Sequence, residues 1–107
     1  MTRYRFRLRG RGVAELAAYG VADAEHRVEK ELAAAWPDAR VRVERLRRDD
    51  EVSRIVESFT VEYAVEAEVG AEAASELDAR RAAFRAARER FAGTRFRQLR
   101  WEAKPFP

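Results

Sequence analysis

The sequence has no cysteine, a single histidine, and only two lysines, Lys30 and Lys104, among its 22 basic residues. Without cysteine there are no disulfides, no thiolate metal sites and no thiol nucleophile. His26 is the sole imidazole. It falls opposite the Val28 and Leu32 stripe of a helical stretch, with no carboxylate placed beside it by spacing, so it reads as surface. The phosphate-loop, nucleophile-elbow and zinc-helix patterns (G-x-x-x-x-G-K, G-x-S-x-G, H-E-x-x-H) do not occur. Neighbouring carboxylates such as Asp49 and Asp50 make at most an unspecific metal set. The expectation is a chain with no catalytic residue, no metal and no cofactor. No apolar run approaches the ~18 residues of a membrane helix. The opening MTRYRFRLRGRG alternates charge instead of forming a leader's apolar segment. A cytoplasmic protein that contacts no membrane is the default expectation.

Charge is what the sequence has in excess. Charged residues make up 38% of it, against about 25% in ordinary domains. The pI of 9.8 suggests a basic protein, yet 19 acids leave a net charge of only +3. Where the charges lie therefore matters more than their sum. Residues 57–78 carry seven acids and no base, whereas residues 80–104 carry nine bases and only Glu89 and Glu102 as acids.

The clearest structural signal is Glu57 to Val69. Phe59, Val61, Tyr63, Val65, Ala67 and Val69 alternate with Ser58, Thr60, Glu62, Ala64, Glu66 and Glu68. Period-two alternation of this kind predicts a strand with one buried and one wet face, ended by Gly70. Thr2 to Arg9 alternates in the same way, Tyr4, Phe6 and Leu8 against four arginines. Gly10-Arg11-Gly12 is expected to interrupt that strand as a turn or bulge, with extended structure over Val13 to Tyr19. A helix is expected from Val21 to Trp36, with Gly20 as N-cap, an apolar stripe of Val21, Ala24, Val28, Leu32 and Ala35, and Pro37 as its stop. Arg40 to Arg47 reads as a strand with a bulge near Arg45, and Arg48 to Arg54 as a solvated hairpin loop. A second helix spans Glu76 to Ala92, capped by Ser75 and closed by Gly93, with a seam of Ala73, Leu77, Phe84, Ala87 and Phe91. The last strand is placed at Thr94 to Ala103. Its facing is ambiguous, because Phe96 and the Leu99/Trp101 pair differ in parity.

The order β-α-β-β-α-β, with short connections and right-handed crossovers, implies an α+β, ferredoxin-like sandwich. It has a four-stranded antiparallel sheet, strands one and three central, and two helices on one face. Residues 1–103 form one domain and 104–107 an extended tail. RNA-recognition motifs share this order and stack bases on outward aromatics of strands one and three. Here Tyr4, Phe6, Phe59 and Tyr63 share the buried parity, and the outward face of strand three is acidic. A ladder of opposite charges across the strands is the expectation for the open face.

Two functions fit these features. The first is a non-enzymatic interaction or assembly domain that binds itself or another protein, with Trp101 and Phe106 as candidate interface residues. An aromatic in a Pro-flanked tail docks either on a partner or on its own domain. The second is an accessory nucleic-acid-binding protein that tracks phosphates with Arg81, Arg85, Arg88, Arg95, Arg97 and Arg100.

Overall fold

The computed structural model describes residues 1–51 and 55–106. Its elements are β1 (Thr2–Ala18), α1 (Val21–Ala35), β2 (Arg40–Glu51), β3 (Glu57–Ala73), α2 (Glu76–Phe91) and β4 (Arg100–Pro105). They form one antiparallel sheet in the order β2-β3-β1-β4, an α+β fold with ferredoxin-like element order. The central β1–β3 pair is in unbroken register from Thr2 opposite Ala73 to Ala18 opposite Glu57.

That register corrects the expected break at Gly10-Arg11-Gly12. β1 runs straight through it, and the inward parity of Phe6 and Leu8 carries on through Gly10, Gly12, Ala14, Leu16 and Ala18. The glycines are there for room. A Cβ on Gly10 would lie 2.7 Å from the Trp101 ring, and one on Gly12 would lie 2.7 Å from Cζ of Tyr63. Each glycine is a seat for an aromatic, so the backbone stays extended. β3 likewise passes through Gly70 to Ala73 instead of ending there.

Other boundaries shift for identifiable reasons. The bulge in β2 lies between Val43 and Arg45, as its broken alternation implies, but the strand continues to Glu51. The hairpin expected over 48–54 is therefore shorter, and residues 52–54 fall outside the described ones. The last strand starts at Arg100, not Thr94, and takes in Lys104 and Pro105. Residues 95–98 are turns. Gly93 has φ 80, the left-handed geometry expected of a helix stop. The Thr94 hydroxyl then donates to the Phe91 carbonyl and accepts from the Phe96 N–H. Phe96 sits in this turn and meets Tyr63 edge-on at 5.0 Å, so its parity never had to match Trp101.

The helices bury different kinds of side chain. α1 uses Ala24, Val28 and Leu32, as its stripe predicts, although Val21 is exposed. α2 buries Ala79, Ala83, Ala87 and Phe91, while Leu77 is exposed and Phe84 half-buried. Ala73, Ala87 and Phe91 of the expected seam are buried, but Ala79 and Ala83 take the place of Leu77 and Phe84, and these alanines let the helix lie close on a sheet that supplies the volume through Phe6 and Leu8. Ser75 accepts the Asp78 N–H and so caps α2.

Proportions set up the rest. A 17-residue strand spans roughly 56 Å, whereas helices of 15 and 16 residues span about 22–24 Å. The molecule measures 58 × 24 × 19 Å. α1 starts beside Ala18 and α2 beside Ala73, at opposite ends of the sheet. Their C-terminal ends meet near the middle, where Trp36, Phe91 and Trp101 have ring centroids 5.9–6.3 Å apart.

Candidate functional site

The open face carries the expected charge ladder. Arg3 pairs with Glu72 (3.8 Å), Arg5 with Glu68 (3.2 Å) and Arg7 with Glu66 (3.9 Å) between β1 and β3. Arg45 pairs with Glu62 (4.0 Å) between β2 and β3, whereas Arg48 and Glu57 (2.9 Å) share the parity of Phe59 and so pair on the other face. The outward column of β3 lacks an acid at Ala64, which is nonetheless buried. Glu44, at the β2 bulge, contacts both Arg42 (3.7 Å) and Arg11 (3.5 Å), the residues of the strands on either side of Ala64. The bulge thus returns a carboxylate to the row that lacks one.

The sequence-predicted interface aromatics stay within their own domain. Trp101 is half-buried in the central aromatic cluster. Phe106 donates its N–H to the Arg5 carbonyl (2.9 Å) and lies beneath the guanidinium groups of Arg5 and Arg7, at 4.7 and 5.3 Å. The six arginines proposed for phosphate do not share one surface. Arg81, Arg85 and Arg88 form an exposed ridge on the side of α2 away from the sheet, with no ion pair among the described residues. Arg95 is held by Glu31 at 3.3 Å, and Arg97 lies in the following turn. Arg100 is opposite Arg11 in β4, on the open face. His26 is exposed. Among the described residues no group of three or more His, Cys, Asp or Glu gathers as a metal site, and no helix is long and apolar enough to cross a membrane.

The feature that sequence reasoning missed is a gap in the sheet. β2 starts at Arg40, opposite Glu66, and covers β3 only from there back to Glu57. Over Ala67–Ala73, no strand among the described residues pairs with β3 on that side. All four strands run abreast only where β1 passes Arg9 to Arg11. Alternate N–H and C=O groups of a strand edge point away from its one partner and are available to another strand. Beside this edge lies a groove of about 800 Å³, half open, with Trp36, Ala67, Val69 and Ala86 as its apolar lining. Asp38, Glu66 and Glu68 bring acid to it, and Arg7, Arg40 and Arg90 bring base. Arg90 lies over the Trp36 ring at 5.4 Å, which places that guanidinium on the helix side. Its sequence signal was Ala71 and Ala73, which keep the parity of Val69 beyond Gly70 and so lengthen β3 past its neighbour.

Perturbed titrations lie away from the groove. The Tyr19 N–H and Arg27 hold the Asp23 carboxyl below its usual range, and the Thr60 hydroxyl and Arg47 do the same for Asp49. Burial pushes the Tyr63 phenol up to about 12. Comparison with protein-family models, with curated proteins and with solved structures returns no match.

Proposed function

We propose that this chain is a non-catalytic, cytoplasmic interaction domain that accepts an extended segment of another protein alongside β3. The observation that carries this reading is the seven-residue free edge, Ala67–Ala73, next to a groove where Trp36, Ala67, Val69 and Ala86 lie among charged side chains. A strand added there gains main-chain hydrogen bonds from the edge and side-chain burial against Val69 and Ala86. The groove supplies apolar and ion-pairing surface and has no histidine, serine or threonine in its lining, which suits docking better than reaction. Val69→Arg and Ala86→Arg each fill the groove, at a partly buried and an exposed position. Proteins retained by the wild-type chain and released by both variants, with the fold kept in each and the thermal midpoint unchanged in Ala86→Arg, are the expected result. Retention unaffected by either variant would rule out this surface.

A second reading rests on the α2 ridge. Arg81, Arg85 and Arg88, free of ion pairs among the described residues, are spaced to follow a nucleic-acid backbone. On that reading Arg81→Glu with Arg85→Glu abolishes a salt-dependent gel shift of single-stranded nucleic acid, and Val69→Arg leaves it intact. The opposite pattern would assign any such binding elsewhere.

A further inference from the structure

We infer that the occupant of the β3 lane is a basic extended segment, with arginine or lysine at every second position and small apolar residues between. This rests on the docking reading above and specifies its partner. The argument begins with how the sheet treats the acidic column of β3. Wherever β2 runs in register beside that column it offers arginine: Arg47 at Thr60, Arg45 at Glu62, Arg42 at Ala64 and Arg40 at Glu66. Beyond Arg40 that supply stops, and Glu68 and Glu72 have arginine from β1 alone. A strand that continues the line of β2 beyond Arg40 places outward side chains beside Glu68 and Glu72, where opposite charges across strands are favourable.

The other side of the lane sets the alternation. Inward side chains of the added strand fall between Val69 and the α2 residues Ala86 and Arg90. Small apolar residues fit there, and Arg90 disfavours cations. Period two is therefore required: basic toward the open face, apolar toward the helix. An antiparallel occupant runs in the direction of β2, so its C-terminal end arrives at Asp38 and Arg40.

A second copy of the chain fits poorly through its own β3 edge or through residues 12–18 of β1. Two β3 edges paired about Gly70 with their faces matched set Glu68 opposite Glu72 of the other copy twice over. Other registers that keep the faces matched still lay two glutamate columns side by side, and like charges across strands are destabilising. The free edge of β1 at residues 12–18 presents Val13, Glu15 and Ala17 outward, and so brings no base to the lane.

The test uses the isotopically labelled full chain and three fluorescent heptapeptides that alternate valine with arginine, with glutamate or with serine. The Arg-Val peptide is expected to shift the backbone amides of 67–73 and to bind at least tenfold tighter than the Glu-Val peptide at low salt. That ratio narrows as salt rises. Glu68→Lys with Glu72→Lys, on exposed positions whose loss leaves the fold intact, reverses the preference. Equal shifts of 67–73 by all three peptides, unmoved by the double variant, would overturn the basic partner and leave strand addition standing. If no peptide shifts those amides, both readings fall. A concentration-dependent doubling of mass with shifts confined to 67–73 would make the second copy the occupant and overturn the inference.

Discussion

The two ends of β3 are built from one alternating pattern and have different surroundings. From Glu57 to Glu66 the strand lies between β1 and β2, and its inward residues Phe59, Val61, Tyr63 and Val65 are at most 1% exposed. From Ala67 to Ala73 it has β1 on one side only: the small side chains of Ala67 and Ala73 are still buried, but Val69 and Ala71 are only half-buried. Alternation therefore sets which way side chains point, and the number of neighbouring strands sets how deeply they are buried. A strand can carry the right pattern along its whole length and still be half finished. The largest expected effect tests this directly. Phe59→Ala, at the closed end, should cost about 3–5 kcal/mol through the lost transfer energy and the cavity left behind. Val69→Ala, at the open end, should cost only about 1 kcal/mol, because part of its surface is already wet. Urea denaturation of both variants checks it, and equal losses would mean that the open end is as well packed as the closed one.

Alkaline titration sharpens the contrast next. Burial raises the Tyr63 phenol to about 12 in the folded chain, against about 10 in an unfolded one. The folded state thus keeps its proton longer. Tyr63 contributes its full stabilisation below pH 10, and that contribution is lost as pH rises from 10 to 12. Two pH units correspond to roughly 3 kcal/mol. Tyr63→Phe should retain stability at neutral pH and decline less steeply over that window. Identical alkaline unfolding curves for the two proteins would place the phenol in water.

Glycine offers a smaller comparison. At Gly12 an added methyl meets the Tyr63 ring, so Gly12→Ala should cost about 1–3 kcal/mol by overpacking. At Gly70, on the open face beside the free edge, the same methyl meets only the guanidinium end of Arg3, which can swing aside. Gly70→Ala should be near neutral by thermal denaturation. A large loss at Gly70 would show that the open end is more constrained than its single neighbour implies.

Much of this could be read in the residues. Alternation in Thr2–Arg9 and Glu57–Val69, and the helical stripe of Ala24, Val28 and Leu32, suffice for the element order and for β1–β3 at the centre. Gly10 and Gly12 misled because glycine is the usual mark of a turn. Yet both hold inward parity, with Arg9 and Arg11 outward, and only the positions of Trp101 and Tyr63 explain why no side chain is tolerated. α2 misled because large residues were ranked above alanine, whereas closeness of approach decides which face is buried. The lane was legible only on the β3 side, in Ala71 and Ala73 beyond Gly70. It depends on where β2 begins relative to the end of β3, and so on a register between segments distant in sequence.

The smallest expected effect concerns the ladder itself. Glu62 is paired with Arg45 of β2, and Glu68 with Arg5 of β1. All four side chains are about half exposed or more, so each pair should contribute only about 0.2–1 kcal/mol in a double-mutant cycle. If the cations serve register more than stability, both cycles should fall toward zero in molar salt while the fold persists. The two pairs should then differ in a single respect. A basic strand added beside β3 competes with Arg5 for Glu68, but it does not reach Glu62, whose flank β2 already occupies. Saturating the chain with an alternating arginine–valine peptide should therefore shrink the Arg5/Glu68 coupling and leave the Arg45/Glu62 coupling as it was. Equal shrinkage of both would mean that the peptide acts as salt rather than as a strand.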